Sequence, residues 1–448
     1  QLGQQLKTEA NSPDGLIEAF SHEGDNYIVG VQWHPEFQDE KSAKYLDATP
    51  LLESLYKAAK DRRYFGSSKP NKRKKIKFGE SAGLSLGGEI ELQILDDKTY
   101  DLKPICSLIV DEIKDQTERT KGEIFQSMIE IESGVSSSAL QVERDWRVEF
   151  ERAKVIAKRH GAVLGGTGAH PFGLISERIL SPDPRYQKLM DKNQWIARRI
   201  AIFGLHVHVG MPSKEDAIRF YRFYMAVSPL LLGLSSSSPF WEGENTGLSS
   251  VRSTFFESTP AGGHPPCLAS WQEFEGLFSK LISSKAIGSH KDLWWDLRPS
   301  IDYGTIELRI CDVLPTLREN AAMVALVHLL GLAANETNQI EFKWPDLSDW
   351  SYRENKWRAA RYGLDFDFIL KENAETIPAR QYILSILDLL EASAEMFGYQ
   401  EYMKTIRDTI ERGTSSNRQL AAFKKHSDLK SVVKCYVEEM ETDRPLWV

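Results

Sequence analysis

An α+β fold built around one sheet is predicted by three short alternating stretches and by the helical pattern of the last third of the chain. Leu86 to Leu95 (LGGEIELQIL) alternates as a strand does, so Glu89, Glu91 and Gln93 share one face while Ile90, Leu92 and Ile94 share the other. Leu205 to Val209 (LHVHV) sets His206 and His208 on one face, and Thr305 to Ile310 (TIELRI) does the same for Glu307 and Arg309. Each strand has an apolar back for a core and a polar front. The Glu/Glu, His/His and Glu/Arg fronts together predict one sheet whose open side holds metal and phosphate. Beyond residue 316 the pattern turns helical.

At 448 residues the chain is long enough for two or three domains with full cores. Its mix, 41% hydrophobic and 27% charged, is that of an ordinary globular protein. The net charge of −8 argues against nucleic acid as a partner, though not against a nucleotide carried with magnesium. The cysteines, Cys106, Cys267, Cys311 and Cys435, form no C-x-x-C pair, which fits a reducing, cytoplasmic compartment. No apolar run approaches the roughly 20 residues that cross a bilayer, so no membrane partner is expected. The first residue is Gln1, nothing near it reads as a signal peptide, and further sequence upstream is expected.

Taken in order, residues 1–65 open with a hairpin of strands over 16–20 and 27–33 around a polar turn. The return strand runs Gly-Val-Gln-Trp into His34-Pro35-Glu36. This segment resembles the C-terminal part of the class I glutamine amidotransferases, most closely the γ-glutamyl amide hydrolases. The resemblance implies that His34 is the base, and Glu36 its orienting partner, in a Cys-His-Glu triad. The cysteine that completes such a triad lies upstream of this motif in that family, and here no cysteine precedes Cys106. Residues 66–80 combine Gly, Ser, Pro and Asn with a basic run, and read as a solvated linker. A nucleic-acid patch is the rival reading; no aromatic interleaving accompanies it.

Residues 81–448 read as one domain. Helices are predicted over 102–114, 140–160, 214–233, 271–287, 317–335 and 350–362, and again from 378 onwards. Residues 122–132 alternate as a strand with Gln126, Met128, Glu130 and Glu132 on one face. Gly165-Gly166-Thr167-Gly168-Ala169-His170-Pro171 has neither Walker nor dinucleotide spacing; a tight turn and a phosphate nest are equal readings. His170 is either a structural hydrogen-bonder or a ligand.

Seven motifs in order carry a second resemblance. They are LGGEIELQ, GAHPF, GLHVHVG, DLRPS, GTIELRICD, WRAARYGL and GTSSNRQ. Over about residues 83–440 the chain resembles the carboxylate–amine ligases, the type 2 glutamate–cysteine ligases. The resemblance implies a glutamine-synthetase-like fold, a curved, mainly antiparallel sheet flanked by helices. It also implies ATP-dependent amide formation between a small-molecule carboxylate, usually the γ-carboxyl of glutamate, and an amine. ATP and magnesium, or manganese in its place, are the implied cofactors, and relatives suggest a homo-oligomer.

The chemistry of the residues agrees with that implication. A carboxylate condenses with an amine only after its oxygen becomes a leaving group, and phosphoryl transfer does this with metal-neutralised phosphates. Glu89, Glu91 and Glu130 offer hard oxygen, while His206 and Glu307 complete a second site by analogy with the resembled fold. Arg309 is placed to stabilise the transferring phosphoryl group. Arg298 and Arg252 are further candidates for phosphate or substrate carboxylate. His170, His208 and Arg361 are candidates for substrate, with structural roles open to each. An accessory ligase domain beside a working hydrolase is the alternative function.

Overall fold

The structure, a computed structural model, describes residues 6–22, 29–32, 51, 53–57, 76–79, 81–335 and 342–447. The chain divides into two compact units, Gln1–Lys74 and Lys75–Val448.

In the first unit β1 (Leu6–Asn11), β2 (Ile17–His22) and β3 (Val29–Val31) form an antiparallel sheet in that order. The hairpin read from the sequence is β2–β3. β1 went unread because its half-buried face, Leu6, Thr8 and Ala10, is only weakly apolar. His34, Glu36 and most of the 66–80 segment lie outside the described residues.

The second unit is organised on β4 (Leu86–Asp96), whose 11 residues are almost wholly buried. After it come α1 (Cys106–Ile113), β5 (Thr120–Gly122), β6 (Met128–Glu132), α2 (Ala139–Arg159), β7 (Ala162–Gly165), α3 (Pro184–Asn193), β8 (Gly204–Gly210) and α4 (Lys214–Ser235). Next are α5 (Arg252–Glu257), α6 (Trp271–Ser283), β9 (Leu297–Ser300), β10 (Thr305–Asp312), α7 (Leu317–Asn335) and α8 (Asp349–Tyr362). Five more helices lie between Ala379 and Thr442. The strands form one antiparallel sheet in the order β9-β10-β8-β4-β6-β5, with β7 also paired to β4. This is the curved, mainly antiparallel α+β architecture expected of the chain.

The apolar backs of the strands are covered by helices. α2 starts where the Ser138 side chain accepts from the Gln141 amide, and it buries Val142, Trp146 and Phe150. Trp146 explains the Gly87-Gly88 pair in part: a Cβ on Gly88 would lie 2.3 Å from the indole, whose Nε1 donates to the Gly88 carbonyl at 3.1 Å. α7 is long and apolar enough by composition to cross a bilayer, but 89% of that stretch is buried inside the protein. It packs on β4 and β8 as a core helix.

Two predictions from the sequence are corrected. The strand expected over 122–132 is two strands, because a turn at 125–127 interrupts it. Gln126 bonds there to the Ser107 amide and Ser181 Oγ instead of alternating with Glu130. The helix expected over 102–114 is only α1, since Leu102 and Lys103 bond back to β4.

Candidate active site on the open face of the sheet

The antiparallel register brings the polar fronts of the strands together. Glu89 stands opposite His206 on one side and Glu132 on the other; Glu91 stands opposite Glu130. Glu307 stands opposite His208 and Arg298. These side chains line one cavity of about 580 Å³. Its remaining walls come from α3, the end of α5 with the 259–261 loop, and the 290–294 segment.

Glu89 joins the two histidines. Its Oε2 is 3.0 Å from His206 Nδ1, and its Oε1 is 3.1 Å from His208 Nε2. His208 Nδ1 lies 2.8 Å from Thr305 Oγ1. Because Nδ1 of His206 is engaged by a carboxylate, its Nε2 carries the lone pair. That nitrogen is buried with no hydrogen-bond partner among the described residues, and Glu91 Oε1 is 3.8 Å away. Burial and the nearby Arg309 hold His206 down to about 4, so the ring is neutral near pH 7.

The carboxylates divide into two kinds. Burial works against ionising Glu89, but its bonds to His206 and His208 outweigh that and hold it well below the usual range. Glu307 is likewise buried and held low by Arg298 and Arg309. Arg298 grips it in a fork, Nε to Oε2 at 2.8 Å and Nη2 to Oε1 at 3.1 Å, and Arg309 Nη1 donates to the same Oε1. Glu91, by contrast, is pushed up to about 8 by burial and by Glu123. Glu130 is raised by burial and by Glu89, Glu123 and Glu91, and Glu123 is raised by burial too. Three carboxyls crowded without a cation cannot all ionise.

Three sets of ligand atoms each lie within 4.8 Å of one another: Glu89, Glu130 and His206; Glu89, His208 and Glu307; and Glu91, Glu123 and Glu130. The unpartnered imidazole nitrogen and the repelling oxygens are a donor set that fits divalent cations. Glu123 was missed in the sequence. It precedes the turn that breaks the 122–132 alternation, so strand periodicity set it aside. A second omission is the basic wall: Arg185, Lys188 and Lys192, spaced along one face of α3, with Lys121 and Lys291. Helical spacing of those cations is visible in the sequence, but nothing local says that α3 crosses the cavity.

Three candidates lie elsewhere. His170 is fully buried outside the cavity lining, with Nε2 2.9 Å from the Tyr100 carbonyl and Nδ1 accepting from the Gly173 amide at 2.7 Å. Burial lowers it to about 3, and it acts as a neutral turn anchor. Arg252 is buried beside β10, where its guanidinium donates to the carbonyls of Ile310 at 3.3 Å and Arg309 at 3.0 Å and its charge acts on Glu91. Arg361 donates to the Gly247 carbonyl and stacks on Tyr362. None of the three lines the cavity. Each holds backbone from outside the cavity lining, and among the described residues Arg252 Nε is buried with no hydrogen-bond partner.

Residues 85–435 match the glutamate–cysteine ligase family 2, and residues 1–36 match peptidase family C26. A Bdellovibrio bacteriovorus protein with the provisional name glutamate–cysteine ligase 2 is 41% identical over 370 residues, 82% of this chain and 97% of its own. A Frankia alni protein provisionally named glutamate–cysteine ligase 2-1 is 36% identical over 377 residues, 83% of this chain and 99% of its own. Among solved structures, a Francisella tularensis glutamate–cysteine ligase in complex with AMP superposes with a TM-score of 0.60 at 10% identity. That likeness covers 82% of this chain and 90% of the other, and is one of fold. Sheet, helices and sequence agree: the chain belongs to glutamate–cysteine ligase family 2, the carboxylate–amine ligases.

Proposed function

We propose that residues 81–448 form an ATP- and magnesium-dependent carboxylate–amine ligase acting at the γ-carboxyl of glutamate. The observation that carries this reading is the open sheet face itself. Carboxylates, an unpartnered imidazole nitrogen and two guanidiniums are gathered in one cavity on rigid strands. In the reaction a carboxylate oxygen of the acid attacks the γ-phosphorus of ATP, the bond to the ADP oxygen breaks, and an acyl phosphate forms. The amine then attacks the acyl carbon, the C–O bond breaks, phosphate leaves, and the amine nitrogen gives up a proton.

The roles follow from position. Glu89, Glu91, Glu130, His206 and Glu307, with Glu123 and His208 beside them, would hold the metal ions. Magnesium, or manganese in its place, supplies charge neutralisation for the phosphate oxygens. Arg309 has a buried Nε with no partner among the described residues, a donor available to a phosphoryl oxygen. Arg298 acts through Glu307, whose carboxylate it orients. ADP release with glutamate and a panel of amines, read by mass spectrometry, tests the reading. Hydroxylamine trapping of the acyl phosphate separates a ligase from a kinase; no ADP with any amine sinks it.

The C26 match over residues 1–36 supports a second element. We infer that residues 1–65 are the C-terminal part of an amidotransferase-type hydrolase domain, joined by a basic linker at 66–80. His34 and Glu36 would serve there as base and orienting carboxylate to a cysteine nucleophile. Cleavage of γ-glutamyl amides without ATP is the measurement that would make the hydrolase the working part and the ligase accessory.

A further inference from the structure

The segment that leads into β4 is bonded into the end of the sheet that carries the metal-binding face. The Gly79 amide donates to the Ile301 carbonyl at 2.8 Å, and Ser81 Oγ donates to the Tyr303 carbonyl at 2.6 Å. The Ser81 amide donates to the Met211 carbonyl at 3.2 Å. The Leu84 amide donates to the Gly210 carbonyl at 2.9 Å, and the Gly210 amide donates in turn to the Ser85 carbonyl at 2.7 Å. Phe78 is buried edge-on against Trp271, with ring centroids 5.0 Å apart. The fit leaves no slack. A Cβ on Gly79 would stand 2.6 Å from the Asp302 carbonyl oxygen, and one on Gly210 would stand 2.1 Å from Ser85 Oγ.

What this segment grips is the 301–304 turn between β9 and β10, and that turn lines the cavity through Tyr303. Tyr303 is 63% exposed, yet its ring meets His208 edge-on at 5.8 Å. Thr305, the residue after the turn, holds His208 Nδ1. The other nitrogen of that ring faces Glu89 at 3.1 Å and Glu307 at 4.0 Å. A displaced turn would therefore release both supports of the imidazole, the aromatic edge and the hydroxyl.

We propose that residues 76–79 and 81–85 are a positioning strap of the ligase site: they fix the 301–304 turn, and Tyr303 with Thr305 thereby fixes His208 toward Glu89 and Glu307. The inference rests on the reading that this face binds metal. It makes the chain arriving from the linker part of the active-site scaffold. Tyr303 and Gly79 are positioning residues, acting through His208. An imidazole that serves as a ligand is oriented by what its other nitrogen and its faces touch, and loss of such support typically weakens metal binding about 10–100-fold.

The test uses Mn²⁺ alone, its free concentration read by electron paramagnetic resonance, on the full chain without nucleotide. Gly79→Ala and Tyr303→Ala should each weaken Mn²⁺ binding by about 10-fold, and Ser81→Ala, losing one hydrogen bond, by about threefold. Tyr303→Phe keeps the ring edge and should stay within about twofold of the wild type. Hydrogen exchange of residues 301–305 should rise in Gly79→Ala and Ser81→Ala. If exchange rises while Mn²⁺ affinity stays unchanged, the strap is only scaffold and the proposal is wrong. Should Gly79→Ala fail to fold, Ser81→Ala and Tyr303→Ala decide, since neither adds an atom. A wild type that binds no Mn²⁺ overturns the strap together with the metal-binding reading. Wild-type Mn²⁺ binding that weakens in these variants, without ADP release from any acid and amine, leaves the strap standing and removes the ligase reading.

Discussion

Glu89 faces His206 across the β4–β8 register, its Oε2 3.0 Å from Nδ1, and so turns the ring's free nitrogen toward Glu91. One carboxylate thereby sets the tautomer of a neighbouring imidazole while offering its own oxygens to two of the three candidate ligand sets. Glu89→Gln should reduce Mn²⁺ affinity by about 100-fold, since it removes a ligand charge and the group that orients another ligand. Turnover, followed as ADP release at ordinary magnesium, should fall at least as far. A variant with full turnover would remove Glu89 from the metal site.

Arg309→Lys should be far from neutral despite the conserved charge. A guanidinium can hold Glu307 with one nitrogen and still present its buried Nε to a phosphoryl group; an ammonium offers a single point of charge. Turnover should drop by about 100-fold, as when one transition-state donor is removed, with the KM for ATP shifting much less. If the loss is instead confined to ATP binding, Arg309 belongs to the nucleotide rather than to the transferring group.

The buried Lys356 tests how rigid the cavity wall must be. Its Nζ reaches Asp296 Oδ2 at 2.8 Å and Glu257 Oε1 at 2.9 Å, and Asp296 also accepts from Tyr352 at 2.8 Å. The Asp296 carbonyl receives the Arg309 amide at 2.7 Å, and its amide donates to the Gly263 carbonyl at 2.7 Å. Lys356→Met leaves Asp296 buried without its cation, which should cost about 3–5 kcal/mol in urea denaturation. Lys356→Met with Asp296→Leu removes both charges and should recover much of that loss.

How far the site was legible depends on period and register. Glu89, Glu91, His206, Glu307 and Arg309 were found because a strand's two-residue period names a face without any knowledge of its neighbours. Glu123 was invisible to that logic, since it stands at the break between β5 and β6 where no period holds. The α3 cations were unread because a helix crossing a cavity is a long-range event. For His170, Arg252 and Arg361 the local sequence does not say whether the side chain reaches the cavity, because long-range packing decides it. All three lie outside the cavity lining, each bonded to a backbone carbonyl. The overall α+β class and most helix positions were readable, because a buried face must repeat along the chain.

The crowded carboxyls make a prediction about pH that runs against the usual acid-lability of proteins. Glu91 is pushed up to about 8, and Glu130 and Glu123 are also raised, by burial first and then by one another. Between the ordinary carboxyl value of 4.5 and these raised values the folded chain holds more protons than the unfolded one. These carboxyls therefore contribute less to metal-free stability as pH rises through that window. His208 adds to the trend: burial opposes its protonation, Glu307 and Glu89 outweigh burial, and the raised value loses stability with rising pH. Glu89 and Glu307, held low, lose their contribution only in acid below the ordinary carboxyl range, so they leave a comparison of pH 6 with pH 8 untouched. A divalent cation replaces the bound protons, and its affinity must then rise with pH. His170, His206 and His328, held low by burial, gain stability over the same interval, so the carboxyl effect is read by difference. In EDTA, Glu91→Gln should lose less Tm than the wild type between pH 6 and pH 8, whereas saturating Mn²⁺ should raise the wild-type Tm more at pH 8 than at pH 6. Calorimetric titration in buffers of different ionisation enthalpy should detect protons released on Mn²⁺ binding at pH 7. A Glu91→Gln variant whose apo Tm falls between pH 6 and pH 8 as much as that of the wild type, or Mn²⁺ binding without proton release, would mean that these carboxyls are not held protonated in the metal-free protein.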